Sequence, residues 1–227
     1  MAVTISGSVG AGGTNNTADV MAVQNLLNKW IAPPISVTGV CNGTATDPTV
    51  VAIKSFQSRF SSNPDGRVDP NGTTLRRLNQ EPLIQLPQNV AGSGYYSYSA
   101  GARQWGTQAT IDALTELGRQ FLWNNPTSLM AIGDISFEFG GNMPPHSSHR
   151  EGKHIDLRPL RIDNARTPVT YTDTANYDQA NTKLLIELFL SHRNVKNILF
   201  NDPVINALDR VSPWQGHDNH FHVTMNE

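Results

Sequence analysis

Apolar residues recur at helical spacing in three short runs near the N-terminus. Val20, Val23, Leu26, Leu27 and Trp30 fall at i, i+3, i+6, i+7 and i+10, one face of a helix. Asp19 or Thr17 is positioned to cap it, and Pro33-Pro34 closes it. A second helix is predicted from Asp47-Pro48, a capping residue followed by proline at the first helical position. It carries Val50, Ile53, Phe56 and Phe60 on one face. Asn63-Pro64-Asp65-Gly66 is a strong turn, and a third helix near Asn71-Gly72-Thr73 presents Leu75 and Leu78. Gly7 to Thr17 is polar and glycine-rich and reads as loop. The pattern predicts a three-helix module over residues 1–82, close to the smallest size that supports its own core.

The pattern then changes. Residues 83–100 hold proline, glycine and three tyrosines (Tyr95, Tyr96, Tyr98) without apolar periodicity, and read as a linker. From 101 to 227, helix and strand periods alternate. Ile111, Leu114, Leu117, Phe121 and Leu122 mark a helix over Thr107 to Trp123. Leu129 to Phe139 is apolar and ends in Gly140-Gly141, as a strand feeding a loop would. His154 to Leu157 alternates polar and apolar. Tyr177 to Leu190 is a helix with Leu184, Leu185, Leu188 and Phe189. Val195 to Phe200 is a strand, Pro203 to Leu208 a short helix and Phe221 to Met225 the last strand. The expected fold class is α+β: the small helical module, then a domain with a small, mostly antiparallel sheet.

Composition narrows the function classes. A net charge of −2 argues against nucleic acid as the main partner, because phosphate binding needs a basic footprint. The single cysteine, Cys41, cannot form an internal disulfide and reads as a small buried hydrophobe. No apolar run reaches the length of a membrane span, so membrane insertion is not expected. Met1 to Gly7 has neither a basic nor an apolar leader region, so no secretory signal is read there. A monomer is expected.

The chemistry lies in the histidines. Six of seven stand in two clusters, at 146, 149 and 154 and at 217, 220 and 222, with Asp156 beside the first. Neutral imidazole and carboxylate are the usual ligands of catalytic zinc, which keeps an open coordination position. Residues two apart on a strand share a face, so His154 and Asp156 face together. His220 and His222 do so if the last strand starts slightly early. A structural zinc site would normally use cysteines, of which residues 101–227 have none, and a nitrogen/oxygen set suits Zn2+ best. No His-Glu-x-x-His helix is present. Arg150, Lys153 and Arg158 flank the site and could bind substrate carboxylates.

Two resemblances add to this reading. Asp19-Val20, Val23-Gln24, Leu26-Leu27-Asn28, Phe56-Gln57 and Asp65-Gly66-Arg67-Val68-Asp69-Pro70 together resemble the peptidoglycan-binding helical module found beside wall hydrolases. The insert from Ile31 to Thr46 departs from the compact form of that module. His146-Ser-Ser-His149, six residues and Asp156, preceded by Ile132-Gly133-Asp134 and followed by His217-x-x-His220-Phe221-His222, resemble the penicillin-insensitive murein endopeptidases. These belong to the lysostaphin-type and D-Ala-D-Ala metallopeptidase group. Arg103-Gln-Trp-Gly106 is a looser match upstream. The resemblance implies His149, Asp156 and His222 as zinc ligands, with His220, His217 and His146 as catalytic histidines. Related carboxypeptidases carry a glutamate base where this chain has Asn219, which leaves Glu151 as an alternative, and Arg150 replaces a glutamine.

The expected activity is zinc-dependent cleavage of peptidoglycan peptides, D-Ala–diaminopimelate bonds first. L-Ala–D-Glu cleavage, carboxypeptidase action, or wall binding around a purely structural metal are the alternatives. With no leader read, the chain is expected to be made in the cytoplasm. It would reach the wall as a phage endolysin or as a delivered effector, the latter paired with an immunity protein.

Overall fold

The computed structural model describes residues 2–226, and the chain forms two compact units that divide between Pro82 and Leu83. The fold is α+β.

The first unit opens with a two-residue strand, β1 (Val9–Gly10). It continues with α1 (Thr17–Leu27), α2 (Pro48–Gln57), β2 (Arg67–Val68) and α3 (Thr73–Leu78). β1 pairs antiparallel with β2, a ribbon set in what the sequence presents as loop. Val20, Val23, Leu27, Val50, Ile53, Phe56 and Leu78 are fully buried between the helices. Asp47 caps α2 by accepting from the Thr49 N–H at 2.8 Å. The start of α1 differs from expectation. Asn16 is its N-cap, without a side-chain cap bond, and Asp19 faces back to the preceding segment. There it accepts from the N–H groups of Ser6 (2.9 Å) and Gly7 (2.8 Å) and from the Ser6 hydroxyl (2.8 Å). The helix also stops at Leu27, before the prolines, because residues 28–30 tighten into a turn. Trp30 still reaches the core, 5.2 Å from the Phe56 ring.

Two buried glutamines organise the loops of this unit. Gln24 accepts from the N–H groups of Thr38 and Gly39 (2.9 and 3.0 Å), pinning the 31–46 insert to α1. Gln57 accepts from Gly66 N–H (2.8 Å) and donates to Asp65, the Arg67 carbonyl and Thr74. Gly66 has φ +77°, so the turn that Gln57 holds needs glycine there.

In the second unit come β3 (Ile84–Gln85), β4 (Tyr95–Ser97), β5 (Trp105–Gly106), α4 (Gln108–Asn124) and β6 (Met130–Ile132). They are followed by β7 (His154–Leu157), α5 (Gln179–Ser191), β8 (Val195–Leu199), β9 (Val211–Ser212) and β10 (Phe221–Met225). Residues 83–100, expected as a linker, therefore carry two strands. β3 pairs with β5, and β4 forms the edge of a six-stranded sheet of order β4-β6-β7-β10-β8-β9. The central pairs β6/β7, β7/β10 and β10/β8 are antiparallel; the edge pairs β4/β6 and β8/β9 are parallel. Of the long apolar stretch 129–139, only Met130–Ile132 pairs as strand. The fifth helix starts two residues later than expected, capped by Asp178, and turns Leu184 outward. The expected helix at 203–208 is a single 3-10 turn, Ile205–Ala207.

Alternation along the two central strands positions the site. Ile155 and Leu157 on β7 and Phe221 and Val223 on β10 enter the core with Ile111, Leu114 and Phe121 of α4 and Leu185, Ile186 and Phe189 of α5. The intervening residues His154, Asp156, His222 and Thr224 therefore share the opposite face. No helix among the described residues is long and apolar enough to cross a membrane.

Candidate metal centre and its flanking clefts

The antiparallel register sets His222 of β10 directly against Asp156 of β7, and Thr224 against His154. Directly opposed side chains on one face lie close enough to touch. The third member, His149, arrives from the loop before β7. It is fully buried and has φ +60°, a left-handed conformation uncommon for a residue with a side chain. The loop's close approaches are made by glycine: a Cβ on Gly140 would stand 2.2 Å from the Arg150 carbonyl.

Three ligand atoms converge. His149 Nε2 lies 3.1 Å from Asp156 Oδ1 and 3.2 Å from His222 Nδ1, and His222 Nδ1 lies 2.9 Å from the same carboxylate oxygen. His149 Nδ1 is 3.1 Å from the Ile135 carbonyl, which can only accept, so Nδ1 carries the hydrogen. The ring's Nε2 faces the carboxylate oxygen and His222 Nδ1, where either a hydrogen or a metal ion could sit between them. Ligands about 2.0–2.1 Å from a tetrahedral zinc stand about 3.3 Å apart. The triangle fits such an ion with only slight expansion.

A second, wider set overlaps the first: the ligand atoms of His146, His149 and Asp156 lie within 4.8 Å of one another and could hold a metal ion. His146 is the looser member. Its Nδ1 is 3.7 Å from Asp156 Oδ2, and its Nε2 donates to Asp134 Oδ2 at 3.0 Å. The triangle with His222 is the more compact of the two.

The surrounding groups are oriented by a further layer of contacts. Asp134 receives a bidentate fork from Arg103 (2.8 and 2.6 Å), and the Ser99 hydroxyl also donates to it. Burial pushes the Asp134 carboxyl up, but Arg103, Ser99 and His146 outweigh it and hold it below its usual value. Burial likewise opposes ionisation of Asp156, and the close contacts with His149 and His222 more than reverse this, holding the carboxyl below its usual value. His222 Nε2 lies 3.0 Å from His154 Nδ1. Burial and the neighbouring His222 and His149 lower His154 to about 4, so it is neutral at pH 7 and can accept that hydrogen bond.

His217 and His220 stand beside the triangle with ring centres 4.6 Å apart. β10 begins at Phe221, so His220 sits on the approach to the strand and not within it. His220 Nδ1 donates to the Asn219 side-chain oxygen (2.8 Å) and His217 Nδ1 to the Gln215 carbonyl (3.2 Å). Each neutral ring then keeps Nε2 as its basic nitrogen. Burial lowers both below the ordinary histidine value. The loop bearing His217 is tied to the end of β8 by Asn201, which donates to Asp218 (2.7 Å) and accepts from Trp214 N–H (2.8 Å).

Two clefts adjoin the triangle. One, of about 410 Å³, is lined by Tyr98, Arg103, Asp134, Asp156 and Arg158. The other, of about 520 Å³, is lined by Trp214, His217, His154 and His222. His146 and His220 line both. Glu151 lies outside, exposed and 3.9 Å from Lys153, and Arg150 reaches Asn142 at the surface. His154, in the first histidine cluster, and Asp134 belong to the site without a ligand or catalytic role assigned from the sequence, and Tyr98, which reads from the sequence as packing or cleft-lining, lines a cleft. The even spacing of His154 and Asp156 was a usable signal for the first; the other two depend on pairing across the sheet.

The family model described as a putative peptidoglycan binding domain matches residues 16–78, inside the first unit. The chain thus carries an N-terminal peptidoglycan-binding domain, which supports peptidoglycan as its partner and association with the cell wall. No curated protein matches the chain.

Proposed function

We propose that the protein is a zinc-dependent peptidase of the peptidoglycan, acting on stem or cross-link peptides. The D-Ala–diaminopimelate bond is the preferred target, as the murein endopeptidase resemblance implies. The observation that carries the reading is the triangle of His149 Nε2, Asp156 Oδ1 and His222 Nδ1, flanked by two neutral histidines that the triangle does not need. A purely structural site has no use for spare bases. The attached peptidoglycan-binding domain supports a polymeric wall substrate.

His149, Asp156 and His222 would hold the ion, which when bound supplies Lewis acidity. The protein's own groups do the rest. His220, neutral and with Nε2 open, takes the proton of the attacking water and returns it to the leaving amine, with His217 beside it in the same role. His146, held by the ionised Asp134, stabilises the developing oxyanion when protonated. His154 accepts from His222 Nε2–H and so presents His222 Nδ1 to the ion. The test is mass analysis of muropeptides released from purified sacculi. Zinc-restorable, chelator-sensitive release of peptides cut at one bond is expected. Full activity in verified metal-free protein would overturn the zinc reading, and no release under any condition would leave a wall-binding protein.

A further inference from the structure

The geometry points to Arg158 as a carboxylate-binding subsite that fixes which end of an anionic peptide enters the cleft beside Asp156. This deepens the peptidase reading and rests on it. Arg158 directly follows β7, and its N–H continues the pairing by donating to the Ala131 carbonyl (3.1 Å). Two residues past Asp156, it emerges on the same face as the proposed ligands.

Its guanidinium is held in two ways. The central carbon sits 3.9 Å from the Tyr98 ring centre, and one terminal nitrogen donates to the Arg166 carbonyl at 3.1 Å. Stacking fixes the plane and the hydrogen bond fixes the rotation, so the remaining donors are already ordered. Among the described residues, no carboxylate lies within ion-pair distance of Arg158. The other charges of the cleft are engaged: Arg103 with Asp134, and Asp156 with His149 and His222. The uncommitted charge is therefore the Arg158 fork, whose geometry matches a carboxylate bidentately.

The other cleft differs. Among the described residues no lysine or arginine lines it, and its prominent side chain is Trp214, 63% exposed. Across the metal triangle the surface thus runs from cationic to aromatic. A peptide with a free carboxylate near the scissile bond would lay that carboxylate on Arg158 and extend its uncharged portion toward Trp214. In wall peptides the carboxylate can come from the glutamate α-carboxyl or from diaminopimelate.

The test uses the full chain and three cross-linked muropeptides: all carboxyls free, glutamate amidated, and diaminopimelate amidated. Cleavage and, by calorimetry, binding are both measured. We expect one of the two amides to lower kcat/KM by about 10–100-fold, mainly through KM, as for loss of a charged hydrogen-bonded pair; which amide does so identifies the source. In R158Q the acid-to-amide ratio should fall to near one while zinc content stays at the wild-type level. R158K, which keeps the charge without the fork, should be intermediate, and it carries the same test if R158Q does not fold. Equal handling of acid and amides by the wild type, or an unchanged ratio in R158Q, overturns the subsite. If the wild type cleaves none of the three, the peptidase reading fails, and binding alone decides the subsite. Tighter binding of the free acid in the wild type but not in R158Q supports it, and equal binding overturns it.

Discussion

Asp19 in the first unit and Asp156 in the second are both buried aspartates, and they do opposite things. Asp19 is 7% exposed and Asp156 4%, and both carboxyls are held below their ordinary value. Asp19 is surrounded by donors with fixed hydrogens: two backbone N–H groups, a hydroxyl and an amide. Its valences are closed, and it pins a chain segment to α1. Asp156 is faced by imidazole nitrogens, which carry a lone pair as readily as a hydrogen. Its surroundings can exchange protons for a metal ion. Burial and a lowered carboxyl are common to both, so neither marks a functional carboxylate; the chemistry of the partners does.

Substitutions can break this contrast in graded steps. Asp156→Ala should abolish zinc binding and lower turnover by at least about 10³-fold, the scale for losing an essential member of a catalytic unit; metal analysis and muropeptide release check both. His220→Ala should keep its zinc but lose about 10²–10⁴ in turnover, the usual contribution of a general base. The pH profile is a second readout. Since burial lowers His220 below 6.5, the neutral base persists into mild acid. Activity should fall only as pH drops through that lowered value, and the alanine variant should lose this limb.

His154→Ala removes the partner of His222 Nε2 and should weaken zinc by about 10–100-fold in a competition titration. Asp19→Ala is the smallest change. It strands buried donors in the first unit and should cost about 1–3 kcal/mol of that unit's stability, read by denaturant unfolding, with zinc affinity unchanged. The Ser6 N–H leads the groups that lower the Asp19 carboxyl against the effect of burial. A carboxyl lowered on folding stabilises above its unfolded value of 3.8, and that contribution fades as pH falls through the lowered one. The variant should therefore be less sensitive to acid over that range.

The sequence was most legible where chemistry is local. Asp47-Pro48 marked the start of α2 because cap and proline act within one turn. The period of two along His154–Leu157 and Phe221–Met225 separated core from site faces, because alternation is a property of the strand itself. Ribbons such as β1/β2 carry no period in two residues, so Val9–Gly10 passed for loop. Tyr95–Ser97 became strand only by pairing with β6, a partner more than thirty residues on. Asp19 had the composition of a cap, yet its donors come from an upstream segment. In the site, the histidine and aspartate spacing was readable, whereas the Arg103–Asp134–His146 chain and the Arg158–Tyr98 stack join elements that only the sheet brings together.

The most direct measurement is zinc stoichiometry in the purified full chain, compared among His222→Ala, His146→Ala and wild type. We predict one zinc per chain in the wild type, its loss in His222→Ala and its retention in His146→Ala. Retention in His222→Ala with loss in His146→Ala would assign the ion to the wider group of His146, His149 and Asp156 and contradict the ligand set proposed here.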